Sequence, residues 1–161
     1  CGNEQTICKP HIVSMAKVLG GGCSIGLICR VAERFMTSNA GTHGTTFGGN
    51  PLAVAVAQTV VDIVFKPSFL ENVQELSAYF VEQLKTHLPS TFSVQGKGLM
   101  LGLYCGGEDV APLVAKLDEA GLLTVAAGPK VIRLLPPLTV TKEEIDEAVT
   151  LLKNTLIVNL V

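Results

Sequence analysis

A single lysine, Lys17, stands in a run of small and aliphatic residues, Ser14-Met15-Ala16-Lys17-Val18-Leu19, that closes on three consecutive glycines, Gly20-Gly21-Gly22. Taking an ammonium out of water is costly, so an amine in apolar surroundings is a candidate for a depressed pKa and for nucleophilic work near neutrality. The glycines permit backbone conformations and close approaches that side chains forbid. The plainer reading is a lysine that ends a buried strand and stretches to solvent. A second group is His43-Gly44-Thr45-Thr46-Phe47-Gly48-Gly49-Asn50-Pro51, in which hydroxyls and backbone amides run into a helix start, equipment suited to an anion such as a phosphate. Alone, it reads as a glycine-rich turn lined by threonine. The third is Arg133, set inside the apolar run Val131-Ile132-Arg133-Leu134-Leu135-Pro136-Pro137-Leu138. A guanidinium grips a carboxylate through two parallel hydrogen bonds, although a strand arginine can also simply reach water.

Taken together, an amine nucleophile, a phosphate cradle and a carboxylate clamp are the parts that pyridoxal-phosphate chemistry on an amino acid requires. The elements that must position them follow from the pattern of the chain. Residues 1–10 are polar and turn-prone. Ile12–Ala16 reads as a short buried strand delivering Lys17 to its carboxyl end, where open α/β sheets place ligands. Ser24–Cys29 reads as the next strand, Ala32–Met36 as a helical turn, and Ser38–Gly49 as a loop without periodicity. Asn50 and Pro51 suit the cap and first turn of a helix. That helix, Leu52–Phe65, is apolar nearly all round except for Gln58, Thr59 and Asp62, as expected of one buried between layers. Lys66-Pro67 ends it and marks the expected domain boundary, with residues 1–67 finishing one domain and 68–161 forming a second.

The second part has a different texture. Val73, Leu76, Phe80, Leu84 and Leu88 recur at helical spacing, predicting an amphipathic helix over Leu70–Leu88. Phe92–Tyr104 contains a strand interrupted by Gly96 and Gly98, glycines that suggest a bulge or a close backbone contact. Asp109–Ala120 reads as a helix with Gly121 just past its end. Leu122–Leu138 reads as a hairpin turning at Gly128-Pro129, with Val131–Leu135 its second strand. Thr141 with Glu144 is a capping box opening a last helix from Glu143 to about Leu152, with Ile145, Val149 and Leu152 on one face. The result is a small α+β unit.

Composition narrows the partners. Only 16% of the 161 residues are charged and the mean hydropathy is +0.45, so the chain is expected to bury area against a partner or to be cut from a larger protein. The opening Cys1 favours the latter. A net charge of −2 without a basic cluster argues against nucleic acid. No apolar run reaches membrane-spanning length, and no signal-like segment opens the chain. Five cysteines without C-x-x-C spacing and three scattered histidines point to reduced thiols, a cytoplasmic location and no metal site.

The chain also resembles the C-terminal part of the class III (ornithine-type) aminotransferases. The residues that carry the likeness are Lys9-Pro10-His11-Ile12-Val13 leading to Ala16-Lys17 and Gly20-Gly21-Gly22, then His43 to Ala53, Gly96-Lys97-Gly98-Leu99-Met100, Gly121-Leu122-Leu123, and Arg133 through Thr141 into Glu143-Glu144-Ile145-Asp146. The resemblance implies an α/β fold of the type I pyridoxal-phosphate transferase kind, with the end of the large domain followed by the small C-terminal domain. It implies that Lys17 links covalently to pyridoxal phosphate and shuttles a proton, and that Thr46 binds the cofactor phosphate of the other subunit of a homodimer. It implies that Arg133 grips the carboxylate of the amino acid or of 2-oxoglutarate. N-acetylornithine is the amino donor best matched by Thr45-Thr46-Phe47 and Leu134-Leu135-Pro136-Pro137, with ornithine and 4-aminobutyrate as alternatives. In this family the aspartate on the ring nitrogen, the stacking aromatic and the glycine-rich phosphate turn precede the position of Cys1, so the 161-residue piece alone is expected to be inactive. The other reading is a noncatalytic, self-associating domain. Departures from the family pattern fall at His11, Cys23-Ser24 and Gln95, none of them at the three key positions.

Overall fold

The computed structural model describes residues 10–30, 41, 44–107 and 109–157. The expected helical turn over 32–36, the loop residues 38–40 and His43 of the threonine segment lie outside the described residues, as do residues 1–9. The chain divides into two compact units, Cys1–Lys66 and Pro67–Val161.

In the first unit, strand β1 (Ile12–Met15) pairs antiparallel with β2 (Leu27–Arg30), Val13 facing Cys29 and Met15 facing Leu27. β1 was expected to be buried, but its residues alternate between exposed and half-buried. Among the described residues the ribbon has two strands, and a two-stranded ribbon buries little by itself. A short 3-10 helix, Lys17–Gly20, follows β1 directly, so Lys17 is its first residue. Helix α1 (Pro51–Val64) starts where the sequence placed it. Asn50 caps it, its side-chain oxygen accepting from the amides of Leu52 at 3.0 Å and Ala53 at 3.3 Å, with Pro51 in the first turn. The expectation that α1 lies between layers is not met within its unit. Only Ala53 and Ala57 are buried, while Leu52 is 69% and Phe65 50% exposed. The polar exceptions satisfy one another along the helix: Gln58 donates to Asp62 at 2.8 Å and Thr59 to the carbonyl of Ala55 at 3.0 Å.

The second unit holds the core. Helix α2 (Pro67–His87) is followed by β3 (Ser93–Lys97), β4 (Met100–Tyr104), α3 (Ala111–Glu119), β5 (Val125–Ala126), β6 (Val131–Leu134) and α4 (Lys142–Ile157). The strands form one antiparallel sheet in the order β3-β4-β6-β5. Leu76, Phe80 and Leu84 of α2 meet Leu101 and Leu103 of β4, Ile132 and Leu134 of β6, Leu117 of α3, and Ile145, Val149, Leu152 and Leu156 of α4. Each such side chain contributes roughly 1.5–3 kcal/mol by leaving water. The period of two along the strands then sends Gly102 and Arg133, which face each other in register, to the opposite side of the sheet.

Phe92–Tyr104 is a hairpin rather than one interrupted strand. Gly98, at φ +57, and Leu99 form a two-residue loop of the kind that fits the strand twist when glycine takes its first position. Gly96 (φ +139) does make the close backbone approach: a Cβ there would fall on the Met100 carbonyl and 2.9 Å from the Leu101 Cα. The end of α3 is closed by Gly121 at φ +90, with Leu122 N–H donating to the Leu117 carbonyl at 2.8 Å and Gly121 N–H to that of Asp118 at 2.9 Å. That pair of bonds is the Schellman pattern. At the start of α4, Thr141 N–H donates to the Glu144 carboxylate at 2.8 Å and Glu144 N–H to the Thr141 hydroxyl at 3.2 Å, closing both halves of the capping box. Tyr79 ties α2 to α4 by donating to Asp146 at 2.7 Å, and its phenol is pushed up from its ordinary pKa chiefly by that bond.

Candidate active site

Lys17 is the only described non-glycine residue with a positive φ, at +58. For a residue with a Cβ that conformation costs of order 1–2 kcal/mol and persists only where neighbours impose it. Two features impose it. Ala16 is fully extended at φ −156, so the chain must reverse at once to enter the 3-10 turn. That turn is then closed by Gly21 (φ +52), whose N–H donates to the Val18 carbonyl at 3.0 Å, and by Cys23, whose N–H donates to the Gly20 carbonyl at 2.8 Å. The lysine side chain is exposed and makes no ion pair with any described residue. Enclosure in apolar surroundings, expected from its sequence neighbours, is therefore not what the unit provides: the chain turns at Lys17, and Val18 beside it is 68% exposed. The amine borders a shallow concavity of about 600 Å3 with Cys23, Ser24 and Ile25. Cys23, Cys29 and Cys105 are free thiols, and burial pushes that of Cys105 up.

The threonine segment forms an exposed turn ahead of α1. Asn50 N–H donates to the Phe47 carbonyl at 3.4 Å, Gly49 takes φ +72, and Gly48 leaves room for the Thr45 side chain folded over it. Thr46 is exposed at this turn. The helix start itself offers an anion less than the sequence suggested. Pro51 has no N–H, those of Leu52 and Ala53 are held by the Asn50 side chain, and that of Val54 goes to the Asn50 carbonyl at 2.9 Å. The donors left at this turn are the threonine hydroxyls and the turn amides. A cavity of about 770 Å3 joins the two segments: Met15 and Ala16 line it on one side, Thr45, Phe47 and Gly49 on the other.

Arg133 belongs to the second unit. It is exposed on the sheet face opposite the core, between Gly102 of β4 and Val125 of β5. No side chain rises from Gly102, and the Val131 side chain leans over it, Cγ1 lying 3.0 Å from where a Cβ would stand. Neither Lys17 nor Thr46 itself lines the larger cavity: their neighbours Ala16 and Thr45 do, Lys17 borders the smaller concavity, and Arg133 stands on the outer face of the other unit's sheet.

Two contributors escaped the sequence reading, Val56 and Val60 of α1. They lie against Gly21: a Cβ on that glycine would be 2.9 Å from Val56 Cγ1 and 3.4 Å from Val60 Cγ2. Their spacing of four residues on one helix, paired with an otherwise unexplained glycine triplet, was the available signal.

The family model described as aminotransferase class-III matches residues 2–156. The acetylornithine aminotransferase of Bacillus subtilis (strain 168) is 48% identical over 147 residues, which are 90% of this chain and 38% of that protein. That of Bacillus cereus is 45% identical over 153 residues, 93% of this chain and 39% of that protein. Among solved structures, the ornithine delta-aminotransferase of Plasmodium falciparum superposes with a TM-score of 0.83 at 30% identity, covering 97% of this chain and 42% of that one. The acetylornithine aminotransferase of Elizabethkingia anophelis gives 0.80 at 30% identity, covering 98% and 43%. The chain therefore spans about two fifths of the length of these relatives, and its α/β architecture is that of part of an aminotransferase.

Proposed function

Because the chain belongs to the class-III aminotransferases, we propose that it is the part of an acetylornithine aminotransferase that bears the reactive lysine, moving an amino group between N-acetylornithine and 2-oxoglutarate in arginine biosynthesis. The observation that supports this reading is that one unit presents a Lys17 amine, exposed and unpaired among the described residues, and an exposed threonine turn, whose chain neighbours, Ala16 and Thr45, line the same cavity.

The residues present fit pyridoxal phosphate. An aldehyde calls for an accessible primary amine, and Lys17 is exposed with no carboxylate paired to it among the described residues. A phosphate calls for hydroxyl and amide donors that are not already used, and the Thr45-Thr46 turn has them even though the first turn of α1 does not. When bound, the cofactor supplies the aldehyde and the ring that takes up electrons from the amine carbon. Lys17 is the base and acid that carries the proton at that carbon. Thr46 holds a phosphate oxygen by its hydroxyl, in a homodimer that of the partner's cofactor. Arg133 grips the substrate carboxylate with paired N–H donors, which orients the carbon to be deprotonated. Free thiols at Cys23, Cys29 and Cys105 support a cytoplasmic enzyme. Ornithine is the second candidate donor, favoured by the high structural likeness to ornithine aminotransferases.

The test is to incubate the intact protein with pyridoxal phosphate, reduce with borohydride and map the modified peptide. The label is expected on Lys17, and Lys17→Ala is expected to lose turnover by at least about a thousandfold. A label on any other lysine, or an active Lys17→Ala protein, sinks the assignment.

A further inference from the structure

The glycines after Lys17 have different surroundings, and the difference locates what holds the lysine. Gly22 has nothing within 4 Å of the place a Cβ would occupy. Gly20 is buried, with a would-be Cβ 2.9 Å from Ile25 Cγ2. Gly21 faces outward from its own turn onto α1, with Val56 Cγ1 at 2.9 Å and Val60 Cγ2 at 3.4 Å from that position. Real Cβ atoms do not come within 2.9 Å of a methyl such as Val56 Cγ1, whereas Val60 at 3.4 Å is in contact, so the turn sits on the helix at a distance that Val56 reserves for glycine. Gly21 is also where the 3-10 turn ends, through its bond to the Val18 carbonyl. The backbone of Lys17 is therefore fixed at two points, by β1 before it and by the seat on α1 after it. Between them the chain is short enough to force φ +58 on the lysine.

We propose that Val56 and Val60 are positioning residues, which set the backbone of Lys17, and so the aim of its amine, through their contact with Gly21. The inference rests on the reading of Lys17 as the reactive amine. Neither valine is expected to touch substrate or cofactor. Both are half-buried on the stripe of α1 that also contains the buried Ala53 and Ala57, so the same face anchors the helix and the turn. The displacement at stake is a few tenths of an ångström. Misplacement on the ångström scale can cost about a hundredfold in rate, so an effect near tenfold is expected.

The experiment uses the intact enzyme and the variants Gly21→Ala, Val56→Ala and their combination. An alanine at residue 21 is strained by the left-handed backbone whether or not Val56 is present, so the second substitution relieves the contact alone. Gly21→Ala should lower kcat roughly tenfold with KM nearly unchanged, and should slow reductive trapping of Lys17 across the pH profile. In cofactor-free protein, hydrogen exchange at the amides of residues 21 and 23 should quicken. Adding Val56→Ala should restore at least half of the lost rate on a logarithmic scale. If Gly21→Ala does not fold, Val56→Ile, which lengthens the side chain under the glycine, should reproduce the same changes. Losses that simply add in the double variant, or a Val56→Ile enzyme with wild-type kcat and exchange, overturn the proposal. Borohydride labelling in the wild type is read separately: label on Lys17 with additive losses refutes the seat alone, whereas no label there refutes both.

Discussion

At the scale of single residues, the three side chains named from the sequence all occur at element ends or on open faces, where a ligand can reach them. Arg133 shows how a strand can carry such a group without cost to its core. Its neighbours Ile132 and Leu134 are 0% and 5% exposed, and the alternation between them leaves the guanidinium on the far side. A charge-assisted pair is worth about 1.5–3 kcal/mol. Arg133→Ala in the intact enzyme should therefore raise KM for the carboxylate-bearing partner by about ten- to a hundredfold while kcat changes much less. Steady-state kinetics that leave KM untouched would remove Arg133 from the site. The identities of these residues were legible because lysine, threonine and arginine are unusual in such apolar or glycine-rich company. The environment of Lys17 was not legible. Sequence neighbours predicted enclosure, yet a chain that reverses at residue 17 points those neighbours elsewhere, and φ +58 depends on α1, distant in sequence, rather than on the lysine.

At the scale of elements, legibility followed local chemistry. The capping box, the Asn50 cap and the glycine that closes α3 each depend on residues within a few positions of one another, and each stands where the pattern placed it. Thr141→Ala removes the acceptor for the Glu144 amide, and such losses typically cost about 1 kcal/mol. A urea titration should show a lower midpoint with an unchanged slope; an unaltered midpoint would mean the helix start is held by its packing alone. Elements whose form depends on a partner were harder to read. Gly96 and Gly98 were compatible with a bulge, and only the pairing of Lys97 with Met100 makes the segment a two-residue hairpin. An all-round apolar helix likewise fixes that a surface will be covered but not by what. The stripe of α1 that is covered within its unit is a narrow one of alanines and valines.

At the scale of the whole molecule, the two units are unequal in what they bury. Among the described residues, every buried core side chain apart from Ala53 and Ala57 lies in the second unit. The first unit exposes Phe47 at 83%, Ile28 at 75%, Leu52 at 69% and Phe65 at 50% with almost no core beneath them, whereas the exposed Leu123 (85%) and Leu135 (63%) of the second unit flank a large one. Apolar exposure marks surfaces that associate, and at about 25 cal/mol per Å2 even a few hundred Å2 covered is worth several kcal/mol. The 161-residue chain, made alone, should therefore self-associate and show no transaminase turnover, whereas residues 67–161, which hold the core, should unfold cooperatively. Sedimentation across a concentration series reads the first outcome. Replacing Leu52 and Phe65 by glutamate should shift the chain toward monomer, because two charges at the surface must be desolvated before it can close. A wild-type chain that stays monomeric at high concentration would show that these side chains are harmless singly and form no adhesive face. A chain that turns over substrate unaided would show that no residue outside these 161 is needed for the chemistry, and would overturn the reading of this piece as a part of the enzyme.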